Sequence, residues 1–174
     1  WSSDVCSSDL NEKKFIGFVG IGFDALVAQK FSNSKSRGLF TYIKVIINSY
    51  FNYAEQYYNL IIDGKPKDIR ALAIIFSNTN QFGNGAKMAP KADASDGLLD
   101  ITIIKKPKLL NIPKLVYQLF TNSFHENKNV NHLFAQKIEV KNKVNFVNLD
   151  GEAIQLNDQL KININPLSLQ LITP

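Results

Sequence analysis

Hydrophobic positions follow a helical period in two parts of the chain. One face of a helix is indicated where apolar residues recur three or four positions apart, at Leu39, Ile43, Ile46, Ile47, Tyr50 and Ala54. A second helix is predicted in "NIPKLVYQLFTNSF", where Pro113 suits the first turn. A shorter helix is expected from about Asp24, whose carboxylate is placed to cap the first free N–H groups.

Elsewhere apolar and polar residues alternate with the period of two that is typical of strands. Asp63-Gly64 separates two such runs and predicts a hairpin turn. The pattern gives about eight or nine strands that do not alternate regularly with helices. The predicted segments are "KFIGFVG", "YYNLII", "DIRALAIIFS", "LLDITII", "KIEVK", "VNFVNL", "LKINI" and "LQLI". The fold class expected is mainly β, an antiparallel β-sandwich with two or three attached helices.

Residues 1–10, "WSSDVCSSDL", differ from the rest of the chain. Ser-Ser-Asp occurs twice, and the stretch holds the only Cys and the only Trp. It resembles the translation of a sequencing-library adapter, so it is set aside as a non-native scar, and residues 11–174 are taken as one domain.

Composition narrows the class further. Of the 174 residues, 45% are hydrophobic and 20% charged, which is typical of a globular domain. The longest apolar runs are far shorter than the roughly 20 residues of a membrane helix. The net charge of +5 is spread along the chain. It mildly favours anionic partners such as a phosphate ligand or an acidic lipid surface, but a solvated basic surface is the preferred interpretation.

Gly20-Ile-Gly22-Phe-Asp24-Ala25 satisfies the dinucleotide-binding pattern G-x-G-x-x-A. That motif requires an acidic residue about 20 positions later at the end of a second strand, but the chain has no Asp or Glu between Asp24 and Glu55. Close backbone packing at a strand end is therefore the better interpretation of the glycines.

A loop of about twenty residues separates "ALAIIFS" from "LLDITII", and a loop of this length usually has a function. It is rich in Gly and Ala, which let backbone approach a ligand closely. Asp93, Asp96 and Asp100 offer oxygen ligands for a hard cation such as Mg²⁺.

Asp150-Gly151-Glu152 supplies two carboxylates after an apolar strand. Such a pair serves as a general base or as metal ligands in phosphoryl transfer, although an ordinary acidic turn has the same sequence. His125 and His132 have no third partner that would make a zinc site. The aromatic residues favour a core over a nucleic-acid-stacking platform.

Taken in order, four segments resemble the C-terminal half of bacterial diacylglycerol kinase-like lipid kinases, whose relatives include sphingosine and ceramide kinases. They are "GIGFDALVA", "GLFTYIKVII", the stretch from "IIDGKPKDIR" to "SDGLLDITII", and "VNLDGE". The resemblance implies the C-terminal β-sandwich of a two-domain enzyme. The family's N-terminal nucleotide loop, Gly-Gly-Asp-Gly-Thr, is absent from these residues.

The resemblance also implies roles for individual residues. Asp96 matches the family's Mg²⁺ ligand, with the backbone carbonyls of Asp93 and Leu98 as partners, and the ion braces the long loop. Asp150 and Glu152 match the acids of which one takes the proton of the lipid hydroxyl; Asp150 is favoured as the base and Glu152 as the nucleotide-side or metal-side acid. Asn80, near the strand end, is a candidate nucleotide contact, as is Asn78. One glycine of the family's loop is replaced in Gly83-Asn84-Gly85.

The activity expected is ATP-dependent, Mg²⁺-dependent phosphorylation of a diacylglycerol-like hydroxyl, as a step of phospholipid metabolism. This chain would supply the lipid-binding and acidic half, and would be inactive alone, because ATP would bind through the missing N-terminal domain. The expected location is cytoplasmic, on the inner face of the membrane, with no nucleic-acid partner and a homodimer as one possible assembly. The alternative function is a non-catalytic β-sandwich module that binds a lipid or an acidic ligand.

Overall fold

The computed structural model describes residues 2–82 and 85–172. These residues form twelve strands and three α-helices. The strands are β1 (Ser2–Leu10), β2 (Lys13–Phe15), β3 (Phe18–Gly22), β4 (Gln56–Ile62), β5 (Lys65–Ala71), β6 (Ala73–Ser77), β7 (Leu99–Ile104), β8 (Val130–Ala135), β9 (Lys137–Val140), β10 (Phe146–Leu149), β11 (Glu152–Gln155) and β12 (Leu160–Ile172). The helices are α1 (Phe23–Ser32), α2 (Leu39–Tyr50) and α3 (Ile112–Phe120).

The strands form two six-stranded sheets, with every pair antiparallel. The first sheet has the order β2-β1-β12-β9-β4-β5, and the second has the order β11-β10-β3-β6-β7-β8. This architecture confirms the predicted antiparallel β-sandwich with a few attached helices.

The main core lies between the two sheets. Leu60, Ile138 and Ile162 from the first sheet share it with Ile74 and Ile101 from the second, and all five are at most 1% exposed. Burying each such side chain contributes about 1.5–3 kcal/mol. The sandwich is therefore held together mainly by the inward-facing residues that the period-two pattern predicts.

A smaller core covers the outer face of the second sheet. Ile75 and Ile104 project from the sheet, and Leu115 and Leu119 of α3 pack against this cluster together with Phe23 of α1. The helices therefore lie on one side of the sandwich, and the space between them and the sheet forms the site described below.

Local sequence accounts for several of the connections. Asp63 and Gly64 join β4 to β5 with φ values of 46° and 79°, as a two-residue hairpin turn requires. α3 begins at Ile112 with Pro113 in its first turn, as predicted. α2 ends at Tyr50, so Ala54 lies beyond the helix that its spacing predicted.

Some predicted strands have different boundaries in the structure. The run "DIRALAIIFS" is divided at Leu72, because β5 belongs to the first sheet and β6 to the second. "LKINI" and "LQLI" belong to one strand, β12. β8 corresponds to none of the predicted strand segments.

Residues 2–10, set aside in the sequence analysis, form strand β1. This strand pairs with β12 on one side and β2 on the other, and Cys6 and Leu10 are fully buried. The hydrophobic pattern did not predict this strand, because some of its buried positions are polar: Ser7 and Ser8 are buried as well. The foreign origin of this stretch stays a prediction.

Candidate functional site

The predicted acids Asp150 and Glu152 lie at the hairpin between β10 and β11. Leu149 and Glu152 face each other across the two strands, so Asp150 and Gly151 form the turn, with φ values of 48° and 96°. Asp150 and Glu152 are both exposed. The segment is therefore an acidic hairpin turn, and its chemistry depends on what surrounds it.

The Asp150 side chain is held by the backbone just before β3. Its Oδ1 accepts a hydrogen bond from the Phe18 N–H at 2.7 Å, and its Oδ2 accepts one from the Ile16 N–H at 3.3 Å. A Cβ at Gly17 would lie 2.5 Å from Asp150 Oδ1, so only glycine leaves room for this arrangement. Two amides thus fix the orientation of the carboxylate, whose remaining lone pairs can accept further hydrogen bonds.

Asn78 binds the same backbone segment from the end of β6. It is fully buried, and its Nδ2 donates to the carbonyl oxygens of Ile16 at 3.1 Å and Cys6 at 2.8 Å. Its own N–H donates to the Gly17 carbonyl at 2.9 Å. Asn80, two residues further on, is exposed. Asn78 therefore has a structural role beside the Asp150 turn, and Asn80 stays a predicted nucleotide contact.

The predicted metal ligands lie in one turn of the long loop. The Asp93 carboxylate accepts hydrogen bonds from the N–H and the hydroxyl of Ser95, at 2.9 and 2.6 Å, and these bonds lower the pKa of Asp93. The Asp96 N–H donates to the Asp93 carbonyl at 3.3 Å, and Asp96 Oδ1 accepts from the Leu98 N–H at 2.8 Å.

One residue of β1 connects this turn to the Asp150 turn. The pairing of β1 with β12 is irregular between Val5 and Ser7, and the Cys6 N–H there donates to the Ala94 carbonyl at 2.6 Å. The Cys6 carbonyl accepts from Asn78, which also binds Ile16. Hydrogen bonds thus run from the turn at residues 93–98 to the backbone that holds Asp150, so the two predicted acidic motifs share one edge of the sandwich.

The donor set of this turn suits a hard cation. One carboxylate, on Asp96, and two carbonyls, of Asp93 and Leu98, are oxygen ligands of the kind Mg²⁺ takes while keeping several waters. Within residues 2–82 and 85–172 no group of three His, Cys, Asp or Glu side chains is arranged for a metal. A site here would therefore depend on carbonyls and water rather than on several acids. Gly83 and Asn84, in the predicted glycine run, lie outside the described residues.

Asp100 lies apart from the other two loop acids. It is in β7, 1% exposed, and its Oδ1 lies 2.9 Å from His132 Nδ1 and 3.1 Å from the Thr102 hydroxyl. Thr102 is also within 3.3 Å of the Met88 carbonyl. Asp100 therefore contacts His132 of β8 and Thr102 of β7, whereas Asp93 and Asp96 bond within their own turn. A shared metal site of the three acids stays a prediction.

A large apolar cavity lies between the helices and the second sheet. Its volume is about 470 Å³, within the range of small-molecule sites. Asp24 is its one charged lining residue among the described residues. The cavity is lined by Phe23, Asp24, Val27, Tyr42, Ile46, Ile47, Tyr50, Phe51, Leu72, Ala73, Ile75, Met88, Ile104, Pro107, Leu109, Ile112, Pro113, Leu115, Val116, Leu119 and Phe124.

Asp24 does not cap α1, contrary to the prediction. The helix begins after Gly22 without a side-chain cap, and the Asp24 carboxylate is buried over β3, with the residue 7% exposed. A Cβ at Gly20 would lie 1.8 Å from Asp24 Oδ2. Gly20 therefore makes room for the carboxylate, which confirms that this glycine serves close packing rather than a dinucleotide.

The second glycine of the motif serves packing as well. A Cβ at Gly22, where φ is 79°, would lie 2.5 Å from the Tyr58 hydroxyl and 2.7 Å from the Leu72 carbonyl. The sequence did not reveal that Asp24 is buried over Gly20. Its one signal was the spacing of four residues between the glycine and the acid.

Asn148 connects the cavity to the Asp150 turn. Its Nδ2 donates to Asp24 Oδ2 at 2.9 Å, and its Oδ1 accepts from the Gly151 N–H at 3.0 Å. Asn148 is 3% exposed and lies opposite Gly20 in the pairing of β10 with β3. One buried side chain thus links the carboxylate of the cavity to the turn that carries the predicted base.

Burial sets the electrostatics of the cavity. It raises the pKa of Asp24 from 3.8 to about 7, and the hydrogen bond from Asn148 offsets part of this effect. Burial, and then the nearby Asp24 charge, raise the pKa of Tyr42. Asp24 is therefore much harder to ionise than an exposed carboxyl group, and its carboxylate lies mainly against Asn148 and Gly20.

Comparison with known proteins gives a consistent family. The model of the YegS C-terminal NAD kinase beta sandwich-like domain matches residues 17–173. A diacylglycerol kinase of Mycobacterium tuberculosis is 28% identical over 166 residues, which are 94% of this chain and 53% of that protein. A Shewanella frigidimarina protein named "Probable lipid kinase YegS-like" is 31% identical over 98 residues, which are 56% of this chain and 31% of that protein.

A solved structure shares the fold. The crystal structure of a diacylglycerol kinase from Bacillus anthracis superposes with a TM-score of 0.69 at 21% identity, covering 98% of this chain and 56% of that one. The chain thus spans about half the length of these longer proteins. Because the family model covers most of its residues, the chain belongs to the YegS C-terminal NAD kinase beta sandwich-like domain family of lipid kinase relatives.

Proposed function

We propose that the chain is the lipid-binding and acid-supplying half of an ATP-dependent lipid kinase acting on a diacylglycerol-like alcohol. The observation that carries the proposal is the apolar cavity with one buried carboxylate, Asp24, linked through Asn148 to the Asp150 turn. The relatives named as lipid or diacylglycerol kinases support it.

The cavity suits acyl chains because its walls are aliphatic and aromatic. Each methylene transferred from water into such a site contributes about 0.8 kcal/mol. A diacylglycerol also carries polar ester and hydroxyl groups, and these need a partner when they are buried. Asp24 and Tyr42, the lining residues that carry an ionisable polar group, are proposed as their partners.

Asp150 is the proposed base. As the lipid hydroxyl attacks, its proton passes to the Asp150 carboxylate, the lipid oxygen bonds to the γ-phosphorus of ATP, and the bond from that phosphorus to the β–γ bridging oxygen breaks, releasing ADP. Asp150 is favoured over Glu152 because the amides of Ile16 and Phe18 hold its carboxylate in one orientation. Glu152 and Asn80 are proposed on the nucleotide side.

ATP is proposed to bind through an N-terminal domain carrying the family's Gly-Gly-Asp-Gly-Thr loop, which these residues lack. Phosphate transfer is accordingly expected from the intact gene product and not from this chain alone. The enzyme is proposed to act at the inner face of the cytoplasmic membrane, because its substrate is a lipid and its phosphate donor is ATP. A homodimer stays a prediction.

Lipid binding to the cavity can be measured on this chain. Ala73 is 4% exposed and lines the cavity, so Ala73→Leu places extra carbons in the lipid's space. We expect it to weaken binding of dioctanoylglycerol, followed by titration calorimetry, by at least about tenfold. Because the added carbons enter the cavity, the stability cost should stay below the roughly 1–3 kcal/mol of an overpacked core, and thermal unfolding checks this. Ala153→Leu on β11 is the matched control. Equal affinity in both variants, with Ala73→Leu folded, would place the lipid elsewhere.

Mg²⁺ is proposed to bind Asp96 and the carbonyls of Asp93 and Leu98, where it would brace the loop. Saturating Mg²⁺ should then raise the thermal midpoint by a few degrees, since a ligand at 100 times its Kd stabilises by about 2.7 kcal/mol. Asp96→Asn should remove this shift, and Asp158→Asn, at another exposed position, should keep it. An unchanged shift in Asp96→Asn would contradict the site.

A further inference from the structure

Two segments of the chain carry positive charge without any negative charge. Residues 25–54 and 101–125 contain eight of the 20 Lys and Arg residues and none of the 15 Asp and Glu residues. These segments include most of α1, all of α2 and all of α3. Neither segment contains an acidic residue, although Asp24 and Glu55 flank the first segment and Glu126 follows the second.

The same side exposes most of the large apolar side chains. Of the thirteen that are exposed among residues 2–82 and 85–172, nine lie on α2, on α3 or directly beside them. We call these nine the apolar face; they are Phe40, Ile43, Ile47, Phe51, Leu109, Leu110, Val116, Tyr117 and Phe120. Leu110 is 93% exposed and Phe40 is 83% exposed, so both apolar side chains lie almost entirely in solvent.

The apolar face surrounds the mouth of the cavity. Ile47, Phe51, Leu109 and Val116 belong to it, and all four also line the cavity. They come from α2 on one side and from the segment leading into α3 on the other. A ligand that enters between these helices therefore passes directly from the apolar face into the cavity.

Lysines accompany the apolar face. Lys44 on α2, Lys108 just before Leu109, and Lys114 on α3 are exposed. Lys106 instead donates to the Tyr53 carbonyl at 2.7 Å and lies over the Tyr50 ring, and so ties the end of α2 to the segment before α3. Exposed apolar side chains next to lysines are typical of helices that lie in the interface of an anionic bilayer.

The charge distribution favours an anionic bilayer over a second copy of the chain as the partner of the apolar face. In a two-fold dimer this face would meet its own copy, and the like charges of the two segments would then repel each other. None of the helices in the described part of the chain has the length and apolarity needed to cross a membrane. We infer that α2, α3 and the residues leading into α3 rest on the surface of an anionic lipid bilayer, with the cavity mouth against the lipid.

This inference builds on the proposed function in one respect, since the cavity is taken to receive its lipid from the bilayer. Docking itself requires neither ATP nor phosphate transfer. The test therefore uses this chain, no ATP, and vesicles of phosphatidylcholine alone or with phosphatidylserine, neither of which has a free primary alcohol. A failed docking test would leave the kinase proposal intact, and a failed transfer assay would leave docking intact.

The electrostatic arm compares two double variants of equal charge. Lys108→Gln with Lys114→Gln should weaken cosedimentation with phosphatidylserine vesicles by at least about tenfold, since each lysine near the surface contributes about 1 kcal/mol. Lys65→Gln with Lys67→Gln, exposed on β5 of the other sheet, should have little effect. Added salt should weaken binding of the unmodified chain.

The apolar arm compares a double variant of the apolar face with a variant of an exposed tyrosine elsewhere on the protein. Tyr117 on α3 is 67% exposed and Tyr57 on β4 is 69% exposed. Leu110→Ser with Tyr117→Ser should reduce vesicle binding by at least about tenfold, whereas Tyr57→Ser should not. Circular dichroism of each variant shows whether it is folded.

Four results would overturn the inference. They are no vesicle binding by the folded chain, equal binding by the face variants and their controls, a dimer that the face variants dissociate, and binding to an acidic protein through this face with no affinity for vesicles. Binding to phosphatidylserine vesicles that is lost only in the face variants would establish it.

Discussion

In the intact gene product, Asp150→Asn is expected to lower kcat for phosphate transfer to the lipid by about a thousandfold. A positioned general base contributes roughly 10²–10⁴ in rate, and an amide cannot take the hydroxyl proton. Because the amides of Ile16 and Phe18 hold the carboxylate, the loss should appear in kcat while KM for the lipid changes little.

The structure also indicates what Asp150→Asn leaves intact. The new amide oxygen can still accept from the Phe18 N–H, which lies at 2.7 Å from the carboxylate, and only the weaker bond to Ile16 is lost. We expect a stability cost of about 1 kcal/mol. Glu152→Gln is the comparison, since Glu152 follows in β11, and its effect should be smaller. Normal turnover by Asp150→Asn would exclude Asp150 as the base.

The second large effect expected is a gain in stability from Asp24→Asn above neutral pH. Burial raises the pKa of Asp24 to about 7, whereas in the unfolded chain it returns to its ordinary value. Between about pH 4 and pH 7 the folded chain therefore holds a proton that the unfolded chain has released. The contribution of this group to stability is fully present below about pH 4 and is lost as the pH rises through about 7.

At pH 8 this loss amounts to about 4 kcal/mol, because the pKa of Asp24 differs by about three units between the folded and the unfolded chain, at about 1.4 kcal/mol for each unit. Asn is neutral at every pH, and it can accept the hydrogen bond from Asn148. Urea unfolding at pH 8 should accordingly show Asp24→Asn up to about 4 kcal/mol more stable than the unmodified chain, with the difference disappearing near pH 4. Asp158→Asn, at an exposed position, should show no such gain. Equal stability at pH 8 would mean that Asp24 is not buried as described.

A carboxylate that costs stability is usually kept for function. Asp24 is the one charged group of the described cavity lining, and Asn148 links it to the turn of the proposed base. The expected gain in stability on removing Asp24 would therefore accompany the loss of a polar group from the proposed lipid site.

The sandwich was predictable because its core strands alternate in sequence. The β4–β5 hairpin, the strands on either side of the long loop, and the helix after Pro113 followed from period and turn chemistry alone. The division at Leu72 did not, because "ALAIIFS" is apolar throughout and its pattern carries no sign of a change of sheet. β1 was missed for the opposite reason, since its buried Ser7 and Ser8 imitate an exposed segment.

The sequence predicted the acidic turns of the candidate site, but it did not predict the apolar cavity. The Asp-Gly pairs marked the turns of Asp96 and Asp150, and the resemblance to lipid kinases assigned their roles, which stay proposals. The cavity depends on how α2 and α3 lean on the sheet, and no local pattern encodes that. Asp24 was taken for a helix cap because Asp is common there, while its true environment depends on Gly20 and on Asn148, which is far away in sequence.

Whether this chain is half of a lipid kinase is decided by phosphate transfer in the unmodified, intact gene product. The protein is incubated with ATP labelled at the γ-phosphate, Mg²⁺ and a total membrane-lipid extract. We expect a labelled lipid phosphate that comigrates with the phosphorylated form of a diacylglycerol-like alcohol. A folded, full-length protein that binds lipid and transfers no label would contradict it, and would identify the β-sandwich as a lipid-binding module.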